Sequence, residues 1–276
     1  VSTLFDAAEY LDAALYLFKG EPGTRKSTAA LSWPTPQYWF SIDQKMEALI
    51  VPARKWGMDV TQIKYDNYGE ISKHNTHSKI KQKLQEFQVN PQGNKTIVFD
   101  SISSGGDAVN LDTMNLKSGT TTGAGVEKGK RIGGIQVAGL EEYNAEASFF
   151  TELIGLLKDI RLYHRVNVIL IAHVMEVQID AKTALIGNFV AKSRQLATGG
   201  RKISAKIPAH CTEVYHFNLK PEADISKGGK YEILTQHTFL DFARTAFNLP
   251  ATIEFNDQQL YTTYIKPAID KLRGQK

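Results

Sequence analysis

An α/β fold built on a mostly parallel sheet follows from three observations on the 276-residue sequence. Short apolar runs rich in β-branched and aromatic residues alternate with stretches whose apolar residues recur at helical spacing, the pattern of a parallel sheet with helices on both faces. Several of these runs end in a polar residue, at Asp43, Asp100 and His173, and the first of them turns through two glycines into Lys-Ser-Thr. Ligands of open parallel sheets sit at the carboxyl ends of strands, so these residues are expected to converge on one crevice. The composition, 42% hydrophobic and 22% charged, excludes disordered and fibrous classes. Cys211 is the only cysteine, which excludes an internal disulfide and argues against a cysteine-based zinc site. No apolar run approaches the length that crosses a membrane and no greasy leader follows Val1, so the expectation is a cytoplasmic protein with no membrane partner. The size suits a single domain over residues 1–276, with a core over about 14–255.

The organising stretch is residues 15–28. Leu15, Tyr16, Leu17 and Phe18 form the first strand, and Gly20-Glu21-Pro22-Gly23-Thr24-Arg25-Lys26-Ser27-Thr28 follows as a phosphate-cradling loop and the first turn of a helix. The glycines let the backbone wrap an anion, Pro22 stiffens the turn, Lys26 can reach the β- and γ-phosphates, and the Ser27 hydroxyl can ligate Mg²⁺. One position departs from G-x-x-x-x-G-K-[ST]: Arg25 stands where the second glycine belongs. Either the loop tolerates a side chain there, or Arg25 brings a charge to the nucleotide.

After a short first helix ending before Pro34, residues 36–43 read as a buried strand ending at Asp43, and residues 46–56 as a helix. A strand over 60–65 and a polar, lysine-rich surface helix over 72–87 follow. Residues 94–101 form a strand whose terminal Asp100 is placed to meet the metal beside Ser27. Residues 101–140 carry nine glycines among Ser, Thr and Lys, and read as a long mobile loop, either functional or a surface insertion. A long helix over 144–164 leads to the strand 166–173, whose near-continuous β-branched run marks a central parallel strand. His173 at its end either touches the γ-phosphate or attacking water, or simply caps the strand.

Residues 174–207 read as a second mobile segment, in which Lys182, Lys192, Arg194, Arg201 and Lys202 accumulate. Such a segment can track the backbone of single-stranded DNA, remain a solvated loop, or dock an acidic partner. Strands over 212–219 and 230–238, joined at Gly228-Gly229, are expected as an antiparallel edge hairpin. Arg244 stands alone among apolar residues, to pair with a core carboxylate or to reach a neighbouring subunit's nucleotide. The amphipathic tail carries no further signal.

In the order of these motifs, over roughly residues 14–255, the chain resembles the RecA-like, AAA-type P-loop ATPases of bacteriophages, a family that includes ATPases of single-strand annealing and recombination. The resemblance implies a RecA-like sheet, binding of ATP and Mg²⁺, DNA-stimulated hydrolysis, assembly into rings or filaments, and residence in a bacterial host's cytoplasm. It carries catalytic roles onto Lys26, Asp43, Asp100, His173 and Arg244, metal ligation onto Ser27 and Asp100, and DNA-contacting loops onto 101–140 and 174–207. Members usually have a glutamate two residues beyond the aspartate of the second strand; here Lys45 occupies that place, leaving Asp43 or Glu47 to substitute. Two rival readings follow: a nucleotide-ordered assembly module with little turnover, and a motor or loader ATPase acting on a protein.

Overall fold

The structure, a computed structural model, describes residues 10–68, 76–119, 131–132, 135–136, 140–178, 185–186, 189–190, 192–198, 201–221, 229–238, 241–256 and 258–274. The elements in chain order are β1 (Leu15–Gly20), α1 (Lys26–Leu31), β2 (Gln37–Ser41), α2 (Ile50–Lys55), β3 (Ile63–Asn67), α3 (Thr76–Val89), β4 (Thr96–Asp100) and α4 (Ile102–Gly119). A two-residue pair, β5 (Arg131–Ile132) and β6 (Ile135–Gln136), precedes α5 (Leu140–His164) and β7 (Asn167–Gln178). A second such pair, β8 (Leu185–Ile186) and β9 (Phe189–Val190), is followed by β10 (Lys192–Leu196), α6 (Arg201–His210), β11 (Glu213–Pro221), β12 (Gly229–Leu234), β13 (Thr252–Glu254) and α7 (Lys266–Leu272).

The described strands of the main sheet run in the order β13-β12-β11-β1-β7-β4-β2-β3, with β10 paired to β7. From β11 to β3 every pairing is parallel, and β12 and β13 close one edge antiparallel. All six residues of β1 are buried, because the strand is covered on both faces. Alternation splits them: Leu15 and Leu17 join one apolar cluster with α3, α4 and α5, whereas Tyr16 and Phe18 join the other with Trp33, Tyr215 and Phe217. Burying a large apolar side chain stabilises by about 1.5–3 kcal/mol, so the two clusters fix which residue of each strand faces which layer. The strand order therefore brings Gly20, Asp100 and His173 to one edge: Gly20 is level with His173, and Asp100 with Ile171 and Ser41.

Two segments read from sequence as mobile loops are corrected in part. Residues 102–119 form α4, and the glycines there serve close packing rather than freedom of movement. A Cβ on Gly106 would stand 2.4 Å from Glu146 Oε1 of α5, and one on Gly105 would stand 3.2 Å from the Phe99 ring. In the second segment β7 continues past His173 to Gln178, and β10 returns antiparallel along it, Leu196 opposite Val174 and Lys192 opposite Gln178. Residues 201–207 of the second segment begin α6, and residues 120–139 and 179–191 lie largely outside the described residues. Smaller shifts are local: residues 46–49 form a 3-10 turn ahead of α2, and residues 60–62 another ahead of β3. The tail, silent in the sequence, packs Ile265 and Ile269 into the second cluster, and the Tyr261 amide donates to Ser32 Oγ at 3.1 Å.

Candidate functional site

The loop after β1 is held by contacts that its residue types explain. A Cβ at Gly20, where φ is +156°, would lie 2.3 Å from the Phe217 carbonyl oxygen of β11, so only glycine lets the two strands approach there. Thr24 Oγ1 donates to the Glu21 carbonyl at 2.7 Å and folds the turn back on itself. Arg25 has φ 65° and ψ 25°, the left-handed conformation that the motif's glycine normally supplies. A non-glycine residue adopts it at a cost of about 1–2 kcal/mol. Its guanidinium lies 4.0 Å over the Tyr231 ring of β12. The Arg25 side chain thus turns towards β12.

Lys26 is buried, and its ammonium donates to the carbonyls of Gly20 at 2.9 Å and Glu21 at 2.7 Å and to Thr24 Oγ1 at 3.3 Å. Burial lowers its pKa to about 8, against the opposing pull of Asp100, Asp43 and Glu21. One residue on, Ser27 Oγ donates to Asp100 Oδ2 at 2.7 Å, across the gap between α1 and β4. Burial raises the Asp100 carboxyl to about 6; the Ser27 bond offsets this and nearby Asp43 adds to it. A hydroxyl and a carboxylate at this separation are hard oxygen donors suited to Mg²⁺, which keeps several waters and takes phosphate oxygens as its other ligands. Among the described residues no group of three or more His, Cys, Asp or Glu side chains could hold a metal ion.

Beside this pair lies a second one. His173 Nε2 is 3.3 Å from Asp43 Oδ2, and Ser101 Oγ donates to Asp43 Oδ1 at 3.1 Å. Burial alone would raise Asp43, but the bonds from His173, Ser104 and Ser101 outweigh it and hold the carboxyl near 2. The backbone of His173 is fixed as well, its amide donating to Ser103 Oγ at 2.9 Å and its carbonyl accepting from Ala197 at 2.8 Å. With Nε2 committed to Asp43, Nδ1 is buried with no hydrogen-bond partner. A cleft of about 380 Å³ opens against the pair, lined by Asp43, His173, Lys45, Tyr68, Ser104 and Asp107 among others.

Thus Lys26, Ser27, Asp100, Asp43 and His173 gather where β1, β4, β2 and the parallel part of β7 end, and Thr28 follows within α1. Arg244 does not join them. Its guanidinium donates to the carbonyls of Pro208 and Ala209 at 3.3 Å and to that of Cys211, at the end of α6. Arg194, read as a DNA contact, turns inward onto Asp241, Asn218 and His216. Lys192 lies on β10 and Arg201 and Lys202 begin α6, but their side chains, like Lys182, lie outside the described residues. Sequence reasoning passed over Ser101, Ser103 and Ser104, although their position directly after Asp100 was a signal, and over Tyr231 and Asp241, whose roles depend on tertiary contacts.

A loop after β1 that leads into α1, with β1 inserted between β11 and β7 and the order continuing β4, β2, β3, makes this an α/β fold on a mostly parallel sheet. No protein-family model matches the chain, and no curated protein matches it. Among solved structures, the crystal structure of the RadB recombinase is similar at 13% identity and a TM-score of 0.46, covering 89% of this chain and 88% of that one.

Proposed function

We propose that the chain binds ATP with Mg²⁺, hydrolyses it, and couples the cycle to single-stranded DNA as an oligomer in recombination, repair or replication, as the resemblance to phage AAA-type ATPases implies. The observation that carries the nucleotide reading is the 2.7 Å bond from Ser27 to Asp100 beside the Lys26 ammonium. In that reading Lys26 exchanges its carbonyl partners for phosphate oxygens, and Ser27 and Asp100 hold Mg²⁺, which neutralises phosphate charge. Positioning and charge neutralisation are most of what phosphoryl transfer needs.

Asp43 and His173 supply the proton acceptor that Lys45 does not. His173, paired with Asp43 through Nε2, is the group of the two that would accept a proton from water in the cleft they line. Lys45 in the cleft and an Asp43 held near 2, a weak base, favour the second reading of an assembly module with slow turnover.

Steady-state ATP hydrolysis with and without single-stranded DNA, with Lys26→Ala as control, separates the two. DNA-stimulated turnover lost in the variant supports the ATPase. Nucleotide binding with no turnover in either condition supports the assembly module, and no nucleotide binding overturns both.

A further inference from the structure

Lys45 stands two residues beyond Asp43, and of the two acidic residues that could replace a glutamate there, one is committed and the other is elsewhere. Asp43 already accepts bonds from Ser101, Ser104 and His173. Glu47 lines a separate, mainly apolar hollow with Leu31, Leu49 and Ala53. The cleft of about 380 Å³ beside His173 has a further carboxylate in its wall, that of Asp107, which none of the site chemistry above uses.

Asp107 belongs to a stripe of α4. Ser104, Asp107, Ala108 and Leu111 recur at three- and four-residue spacing, and all of them line the cleft. One turn earlier the same helix is pinned to the site: Ser103 Oγ accepts the His173 amide at 2.9 Å, and Ser104 bonds to Asp43. Asp107 therefore faces the Asp43–His173 pair from one helical turn away. It is open to solvent through the cleft, yet partial burial, and after it the charge of Asp43, raise its carboxyl above the ordinary range. No donor among the described residues relieves it. A carboxylate kept beside a like charge without a donor weakens the fold, and such groups collect where chemistry needs them.

We propose that Asp107 is a catalytic residue that orients the water attacking the γ-phosphate, accepting a hydrogen bond from one O–H while His173 takes the proton of the other. The proposal rests on the ATPase reading above. The water oxygen bonds to the γ-phosphorus as the bond from that phosphorus to the β–γ bridging oxygen breaks, and the electron pair of the broken bond leaves with ADP. The released proton passes to His173, and Asp107 gains none. Lys45, in the same cleft, offsets part of the negative charge that Asp43 and Asp107 bring there. The carboxylate thus comes from α4 rather than from the end of β2.

Single-turnover hydrolysis of Mg²⁺·ATP with single-stranded DNA, ATPγS affinity by calorimetry, and thermal unfolding near neutral pH test it together. Asp107→Asn should slow hydrolysis by about 10²-fold, the scale of a misplaced reactant, and keep ATPγS affinity within about threefold of wild type. It should unfold at the wild-type temperature or above, because it removes a charge that faces Asp43. Asp107→Glu, which keeps the carboxylate, should recover part of the rate. Equal rates in wild type and Asp107→Asn, or in the Asn and Glu variants, overturn the proposal. So does a slow Asn variant that also melts earlier or loses affinity to the same extent, since that is a structural or binding role. Wild-type protein that binds Mg²⁺·ATPγS and never hydrolyses ATP overturns it while the nucleotide reading stands, and wild-type protein that binds no nucleotide overturns that reading.

Discussion

Ser27 Oγ and Asp100 Oδ2, 73 residues apart in the chain, meet at 2.7 Å and join the first turn of α1 to the end of β4. Because the carboxylate is buried, removing its donor leaves a costly group behind. Ser27→Ala should lower stability by about 1.5–3 kcal/mol, the range for a bond to a charged group, as measured by urea unfolding. The same variant should bind nucleotide with an affinity that no longer responds to Mg²⁺. Retention of the wild-type Mg²⁺ response would remove Ser27 from the metal site.

Asp100 also sets a pH dependence. Its carboxyl is raised from 3.8 to about 6, chiefly by burial. Between these values the folded chain holds a proton that the unfolded chain has released, so this group's contribution to stability falls as pH rises through the window and is lowest above 6. Metal binding needs the anion, so Mg²⁺-dependent thermal stabilisation by nucleotide should be full above about pH 7 and fade below about pH 6. Asp43 titrates the other way: lowered from 3.8 to about 2, it stabilises above the first value, and that contribution is lost as pH falls through the second, outside the Asp100 window. Thermal shifts across that pH range, with Asp100→Asn as a flat control, check the prediction.

Arg25 holds a glycine's conformation and stacks on Tyr231 at 4.0 Å. Replacing it with glycine relieves about 1–2 kcal/mol of left-handed cost, less the extra backbone entropy that glycine loses, and removes a stack worth about 0.5–1 kcal/mol. Arg25→Gly should therefore change stability by less than about 1 kcal/mol. A double-mutant cycle with Tyr231→Ala should return a coupling of about 0.5–1 kcal/mol. A coupling of zero would show that the stack contributes nothing to the loop.

At Gly20 the expectation is harsher, because the obstacle is backbone. A methyl group would lie 2.3 Å from the Phe217 carbonyl oxygen, and β1 and β11 would have to part beside the phosphate loop. Gly20→Ala should cost about 1–3 kcal/mol and weaken nucleotide binding. Gly23→Ala, which meets no atom within 4 Å and is strained only by its φ of +80°, should affect stability less.

His173→Ala should separate binding from turnover. Loss of a proton acceptor costs about 10²–10⁴ in rate, while nucleotide affinity should stay within about threefold of wild type. An unchanged rate would leave His173 as a strand cap held by Asp43.

Much of this arrangement was legible in the sequence where one residue type has one physical use. The runs before Gly20, Asp43, Asp100 and His173 are apolar on both faces and end in a glycine or in polar groups that need partners, so strand, direction and crevice follow together. α4 was misread because Gly105 and Gly106 look like flexibility, and only the nearness of Phe99 and Glu146 shows that they make room. β10 was missed because Lys-Ser-Arg-Gln-Leu has few apolar residues to betray a strand, and its pairing partner is simply the extension of β7. Arg194 was read as a DNA contact, and Arg244 was left between a core carboxylate and a neighbouring subunit's nucleotide, for the same reason. A long cation is most often solvated, and the carboxylate or carbonyls that claim it come from residues 241 and 208–211, distant in sequence.

Arg273 Nη1 lies 2.6 Å from Asp12 Oδ2, across 261 positions of sequence. The backbones at Asp12 and Arg273 therefore lie within reach of one another. A short linker between these two points would close the backbone into a circle without crossing the sheet, and new ends could be opened in another connection. Labels placed beside these two residues would sit at one common spot, giving an experimenter a single handle by which to tether the molecule.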